Sequence, residues 1–96
     1  MEAKLAPLKF IWDTGNKSKS EEKHCISNLE AESIFKDPAK LVIISNRSRE
    51  VRFLCIGRSY LSRMLTSYFI IRDGKVRIIG TRAARQKEKE MYNKRG

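Results

Sequence analysis

Three kinds of residue in this chain could do chemistry on a phosphate. Arg52, Arg58, Arg63, Arg72, Arg77 and Arg82 recur through apolar, strand-like stretches, so a folded sheet would fix their positions. A fixed guanidinium binds phosphate oxygens through a planar fork and stabilises charge that develops on phosphorus. His24, the one histidine, is the type of side chain that moves protons near neutral pH; otherwise it is an ordinary residue at a helix C-terminus. Trp12, Tyr68 and Tyr92 are either packed aromatics or platforms on which a base could stack.

The rest of the composition narrows the chemistry. Residues 51–96 hold twelve Lys and Arg against three acids, whereas residues 1–50 hold nine against eight, and together they give a formal charge of +10. A basic half-chain of this density suits a polyanion. Cys25 and Cys55 lack zinc-type spacing and read as two free thiols in a reducing compartment. There is no Walker loop, nucleophile elbow or paired-acid metal motif, so an enzyme built on this chain is expected to need no metal or cofactor. No apolar run approaches the roughly 20 residues that span a membrane. The 96 residues are expected to form one small cytoplasmic domain, with 1–7 as a loose leader.

The elements that would hold these residues follow from local pattern. Leu8–Trp12 is apolar enough for a short strand. Asp13 and Thr14 can cap a polar helix running to His24. Ser27-Asn28-Leu29-Glu30 is a capping box that opens a second helix, closed by Asp37-Pro38. Four strand-like segments come next: Lys40–Ser45, Val51–Arg58, Arg63–Arg72 and Lys75–Arg82. Asp73-Gly74 is a two-residue hairpin signal, and the other links are short, so the four form an antiparallel meander. Ala83–Lys94 is a strong helix former. The expected class is α+β: a twisted antiparallel sheet of four strands plus the short N-terminal strand, with two N-terminal helices and one C-terminal helix.

A regular Asp73-Gly74 hairpin sets Ile71 opposite Val76, Phe69 opposite Ile78, Ser67 opposite Gly80 and Leu65 opposite Arg82. Arg63 and Arg82 then meet on one face, beside the small Ser67/Gly80 pair, which leaves a hollow. An anion between them would satisfy both; alternatively each pairs with an acid, with Glu21, Glu22 and Glu88 available. A one-residue slip would send one arginine to the opposite face.

Without metal motifs, one polyanion reaction stands out. RNA carries its own nucleophile, the 2′-OH, so cleavage needs only alignment, a base, an acid and cations at the phosphorus. Arginines with a lone His or Tyr can supply these. A non-catalytic nucleic-acid-binding module explains the charge equally well, and so does a surface for an acidic protein.

Several motifs together resemble the BrnT-type ribonuclease toxins of bacterial type II toxin–antitoxin systems, related in fold to RelE toxins. The matching residues are Phe10, Trp12 and Asp13; Lys17; Lys23-His24; Glu30-Ala31 with Phe35 and Asp37; and Glu50-Val51-Arg52-Phe53. They continue through Ile56-Gly57-Arg58-Ser59, Arg63, Tyr68, Arg77-Ile78-Ile79, Thr81-Arg82 and Ala84, with Glu88 and Tyr92 in the last helix. Order and spacing hold over about residues 10–92. The resemblance implies an RNase that slows translation and is held inactive by a ribbon-helix-helix antitoxin. It further implies a heterotetramer around an antitoxin dimer, with operator DNA bound only through the antitoxin. It implies His24, Arg63 and Arg82 as catalytic residues, with Trp12, Lys23, Arg58 and Tyr68 contacting RNA. The chain departs from the pattern at Ser20, where Asn is common, at Gly80-Thr81, where Ser-Ala is usual, and at Cys25, where Gly is usual. A non-Gly residue at Cys25 resists positive φ and would alter the turn that positions His24.

Overall fold

The computed structural model describes residues 9–13, 15–16, 24–45 and 51–95. Among these, two α-helices and a four-stranded sheet are present: α1 (Asn28–Ser33), extended by a 3-10 turn at Ile34–Lys36, then β1 (Leu41–Ser45), β2 (Arg52–Arg58), β3 (Met64–Arg72), β4 (Lys75–Ala83) and α2 (Gln86–Arg95). The strands form the expected meander in the order β1-β2-β3-β4, every pair antiparallel. Of the expected helix before Cys25, Gly15 and Asn16 lie in a turn instead, and residues 17–23 lie outside the described residues, as does the leader. No described helix is long and apolar enough to cross a membrane.

The expected N-terminal strand shrinks to a single bridge, Phe10 parallel to Val76. The chain leaves the sheet edge because Asp13 and Asn16 curl it: the Asp13 N–H donates to Asn16 Oδ1 at 2.8 Å, and the Gly15 N–H donates to Asp13 Oδ1 at 2.9 Å. Asn16 is buried, and its amide donates to the carbonyls of Ile11 and Ile78, both at 2.8 Å. That one side chain pins the turn to β4 and satisfies carbonyls that the sheet edge leaves open.

Alternation along the strands gives the sheet two faces. One packs against α1 and its 3-10 turn, where Ile26, Ala31, Ile34 and Phe35 meet Cys55, Leu65, Phe69, Val76 and Ile78. A row of rings, Phe10–Phe35–Phe69–Phe53, runs through this core with centroids 5.1–5.3 Å apart. Burial pushes the Cys55 thiol up to about 12, so it behaves as a small apolar residue. Gly57 lets β2 approach the 3-10 turn: a Cβ there would lie 2.8 Å from the Ile34 carbonyl oxygen. The opposite face carries Thr66, Tyr68 and Ile70, and α2 packs across it.

The Asp73-Gly74 turn forms as expected, with φ of 54° and 72°; both residues are left-handed, as a type I′ hairpin requires. The register holds from Arg72/Lys75 to Phe69/Ile78 and then slips at a β-bulge: Tyr68 pairs with Gly80, Ser67 with Thr81, Thr66 with Arg82 and Leu65 with Ala83. Ile79 is the extra residue. This corrects the register read from the hairpin. The side-chain period is two, so one inserted residue carries Arg82 to the face opposite Arg63.

The C-terminal helix begins at Gln86 rather than Ala83 because β4 continues to Ala83. Glu88, at its third position, accepts from the Arg85 N–H at 2.8 Å, half of a capping box. Ser27 caps α1 in the expected way, accepting from the Glu30 N–H at 3.1 Å. The Glu30 carboxylate, however, is turned to Arg63 and Ser59.

Candidate functional site

The two arginines that a regular hairpin would bring together are apart, and each is held by a glutamate. On the α1 face, Arg63 donates Nε to Glu30 Oε2 at 2.8 Å and its second fork nitrogen to Glu30 Oε1. Ser59 Oγ donates to the same carboxylate at 2.7 Å. The Arg63 fork holds the Glu30 carboxyl below the usual range against the opposing effect of burial, and Ser59 adds to it. Arg63 also donates to the Cys25 carbonyl at 3.2 Å. Its side chain is 43% exposed, so the guanidinium stands at the surface beside the turn that follows His24. Cys25 itself has φ 56°: the turn adopts the left-handed conformation despite the side chain. His24 is exposed.

On the other face lies a cleft of about 300 Å³, lined by Ser45, Arg52, Leu54, Tyr68, Arg82, Arg85 and Glu88. The meander builds it directly. Ser45 faces Arg52, Leu54 faces Tyr68, Tyr68 faces Gly80, and Thr66 faces Arg82, so these strand residues share one side. Arg85 and Glu88 close it from the start of α2. Gly80 lies under the Tyr68 ring, 3.9 Å from Cδ2 to the position a Cβ would take, so the expected hollow at Ser67/Gly80 is absent. Ser67 instead pairs with Thr81 by a buried 2.8 Å hydroxyl–hydroxyl bond.

Arg82 is tightly held. Its fork grips Glu88 twice at 2.8 Å, its Nε donates to Tyr68 Oη at 2.6 Å, and Nη1 also donates to the Ala83 carbonyl at 3.2 Å. Four of the five guanidinium N–H groups are thus committed. Glu88 additionally accepts from Thr66 Oγ1 at 2.9 Å. Burial alone would raise the Glu88 carboxyl; the Arg82 fork, the Arg85 N–H and Thr66 outweigh that and bring it down to about 2. Arg52 and Arg85 are exposed, and no carboxylate of a described residue pairs with either. The cleft therefore offers two uncommitted guanidinium groups, one held guanidinium and one phenol.

The other expected contacts are scattered. Trp12 packs against the α1-side core and donates its indole N–H to Glu32 Oε2 at 2.6 Å. Arg58 is exposed near Asp37, which accepts its backbone N–H at 2.8 Å and the Tyr92 hydroxyl at 2.7 Å. Lys23 lies outside the described residues. Of the six described candidate residues, Tyr68 and Arg82 share the cleft; Arg63 lies elsewhere, bonded to the carbonyl of Cys25, the residue after His24. Arg52, Arg85 and Glu88 line the same cleft: the sequence marks Arg52 among the sheet arginines suited to phosphate and Glu88 among the acids available to an arginine, and marks no role for Arg85. The β2–β3 alternation carries the signal for Arg52, and the Arg85-x-x-Glu88 spacing before a helix carries it for the other two.

The family model for the BrnT ribonuclease toxin of type II toxin–antitoxin systems matches residues 12–88. The chain belongs to the BrnT family. A comparison with curated proteins finds no match. The match takes in β1–β4 and the first turn of α2, and every residue lining the cleft falls within it. A BrnT toxin is a ribonuclease of a type II toxin–antitoxin system.

Proposed function

We propose that this BrnT toxin is a metal-independent endoribonuclease with a RelE-like fold, cutting RNA by attack of the 2′-OH and thereby slowing translation. The observation that carries the reading is the convergence of Arg52, Arg82, Arg85 and Tyr68 on one cleft. Arg52 and Arg85 hold the phosphate oxygens by bidentate contacts, and the Arg82 cation stabilises charge that builds at the reacting phosphate. The toxin acts in the cytoplasm. A ribbon-helix-helix antitoxin neutralises it in a heterotetramer around an antitoxin dimer, which also carries the contact with operator DNA.

The purified chain is expected to cleave RNA in the presence of EDTA, and Arg82→Ala to abolish cleavage while the far-UV circular dichroism stays native. Full activity of that variant would sink the assignment, and EDTA-sensitive cleavage would remove metal independence. If the wild type binds RNA with a salt-dependent affinity but yields no products, the chain is a non-catalytic binding module instead.

One observation favours a second placement of the reaction. The Arg63 guanidinium is half-exposed and bonded to the carbonyl of Cys25, the residue that follows His24, so a cation and a proton-transfer group are close along the chain. His24→Ala and Arg63→Gln test it: with the reaction in the cleft, both variants keep most of the wild-type rate.

A further inference from the structure

We infer that Tyr68 is the general acid of the cleft, giving its phenolic proton to the 5′-oxygen that leaves when RNA is cut. The inference rests on the ribonuclease reading above and adds a proton donor to it.

The hydrogen bonds around Tyr68 Oη dictate the direction of its proton. A phenol oxygen is both donor and acceptor. Arg82 Nε–H points at it over 2.6 Å, and an arginine only donates, so the oxygen is the acceptor there. The phenol's own proton must therefore point elsewhere, and no described residue accepts it. The ring lies between Leu54 and Gly80 across the sheet, on the wall of the cleft. The proton is thus presented to whatever occupies the cleft beside Arg52 and Arg85.

Charge favours the transfer. As the proton leaves, negative charge grows on an oxygen that already faces a cation. Arg82 cannot swing away, because Glu88 grips its fork from the other side. The guanidinium carbon also sits 5.3 Å from the Tyr68 ring centroid. Glu88, Arg82 and Tyr68 thus form a chain in which a fixed carboxylate orients a cation and the cation supports the incipient phenolate. In this proton transfer Arg82 acts through the phenol, in addition to its electrostatic effect at the phosphate.

The step balances. The 2′-oxygen bonds to phosphorus and releases its proton to a base or to water. The bond from phosphorus to the 5′-oxygen breaks, and the leaving oxygen takes the proton of Tyr68. The products are a 2′,3′-cyclic phosphate and a 5′-hydroxyl, and the tyrosinate recovers its proton from water.

The test uses an RNA oligonucleotide that the wild type cuts, made with either oxygen or sulfur at the bridging 5′ position of the cut linkage. A 5′-thiolate leaves without being protonated. Tyr68→Phe is expected to slow the oxygen linkage by about 10²–10⁴-fold and to cut the sulfur linkage at close to the wild-type rate. Arg82→Gln should likewise lose more on oxygen than on sulfur, so the result does not hang on one variant's folding. Equal slowing of both linkages by Tyr68→Phe, or slowing of neither, overturns the assignment and leaves the ribonuclease reading standing. A wild type that cuts no RNA at all overturns both.

Discussion

Arg63 and Arg82 stand on opposite faces of the same hairpin, each gripped by the glutamate at the third position of a different helix. Glu30 of α1 holds one and Glu88 of α2 the other. The two ion pairs fasten a helix to each side of the sheet. They are unlike in exposure: the Arg63 side chain is 43% exposed and that of Arg82 14%. The carboxylates differ the other way, Glu30 being 2% exposed and Glu88 11%, so removing either arginine strands a buried acid.

Glu88→Gln should lower stability at pH 7 by about 1.5–3 kcal/mol, the range for hydrogen bonds to charged groups. The pH dependence has a definite sign. Glu88 drops from the ordinary value of 4.5 to about 2 on folding. Its contribution is therefore complete above about pH 4.5 and fades as pH falls toward 2. Urea titrations at several pH values should show a shallower acid limb between those values for the variant than for the wild type.

Gly57→Ala should destabilise the chain by about 1–3 kcal/mol through overpacking. The added carbon would meet the backbone oxygen of Ile34, 2.8 Å away, and backbone cannot move aside as a side-chain tip can. Thermal unfolding followed by circular dichroism measures the loss, and an unchanged midpoint would contradict the close approach of β2 and the 3-10 turn.

Cys25→Gly should raise stability by about 0.5–1 kcal/mol. Left-handed backbone costs an L-residue roughly 1–2 kcal/mol, and glycine's greater unfolded-state entropy returns part of that. The measurement is the same thermal midpoint, made with reductant present. A loss of stability would show that the thiol makes a contact worth more than the strain.

Replacing both Arg52 and Arg85 with Gln should weaken binding of single-stranded RNA uniformly across sequences. The slope of log affinity against log salt should become shallower by about 0.7 for each phosphate that the variant no longer neutralises. Filter-binding titrations at three salt concentrations suffice. An unchanged slope would place the RNA away from the cleft.

Much of the frame was legible in the sequence. The four strands, the Asp73-Gly74 turn, the Ser27 cap and the stop at Asp37 all rest on local rules of period, turn chemistry and capping. The family resemblance on residues 10–92 was matched by the family model on 12–88. The misplacement of Arg82 came from one residue. The sequence Ile78-Ile79-Gly80-Thr81 reads as an unbroken strand, and no local pattern marks Ile79 as unpaired. The Glu30 carboxylate was misread for a related reason. A capping box is visible from spacing, but the competing pull of Arg63 comes from 33 residues away. The N-terminal strand failed because Asn16, beyond the apolar stretch, draws the chain into a turn.

The bulge at Ile79 makes the placement of Arg82 a matter of parity. Paired without a break from the Asp73-Gly74 turn, Arg82 would face Leu65 on the α1 side; the unpaired Ile79 sets it opposite Thr66, in the cleft. Removing Ile79 would leave a regular hairpin with Tyr68 still opposite Gly80, Ser67 opposite Thr81 and Thr66 opposite Arg82, so the cation would stay in the cleft. The drastic edit in this strand is one that forces Ile79 into the ladder, because it would move Arg82 to the other face without changing any functional side chain.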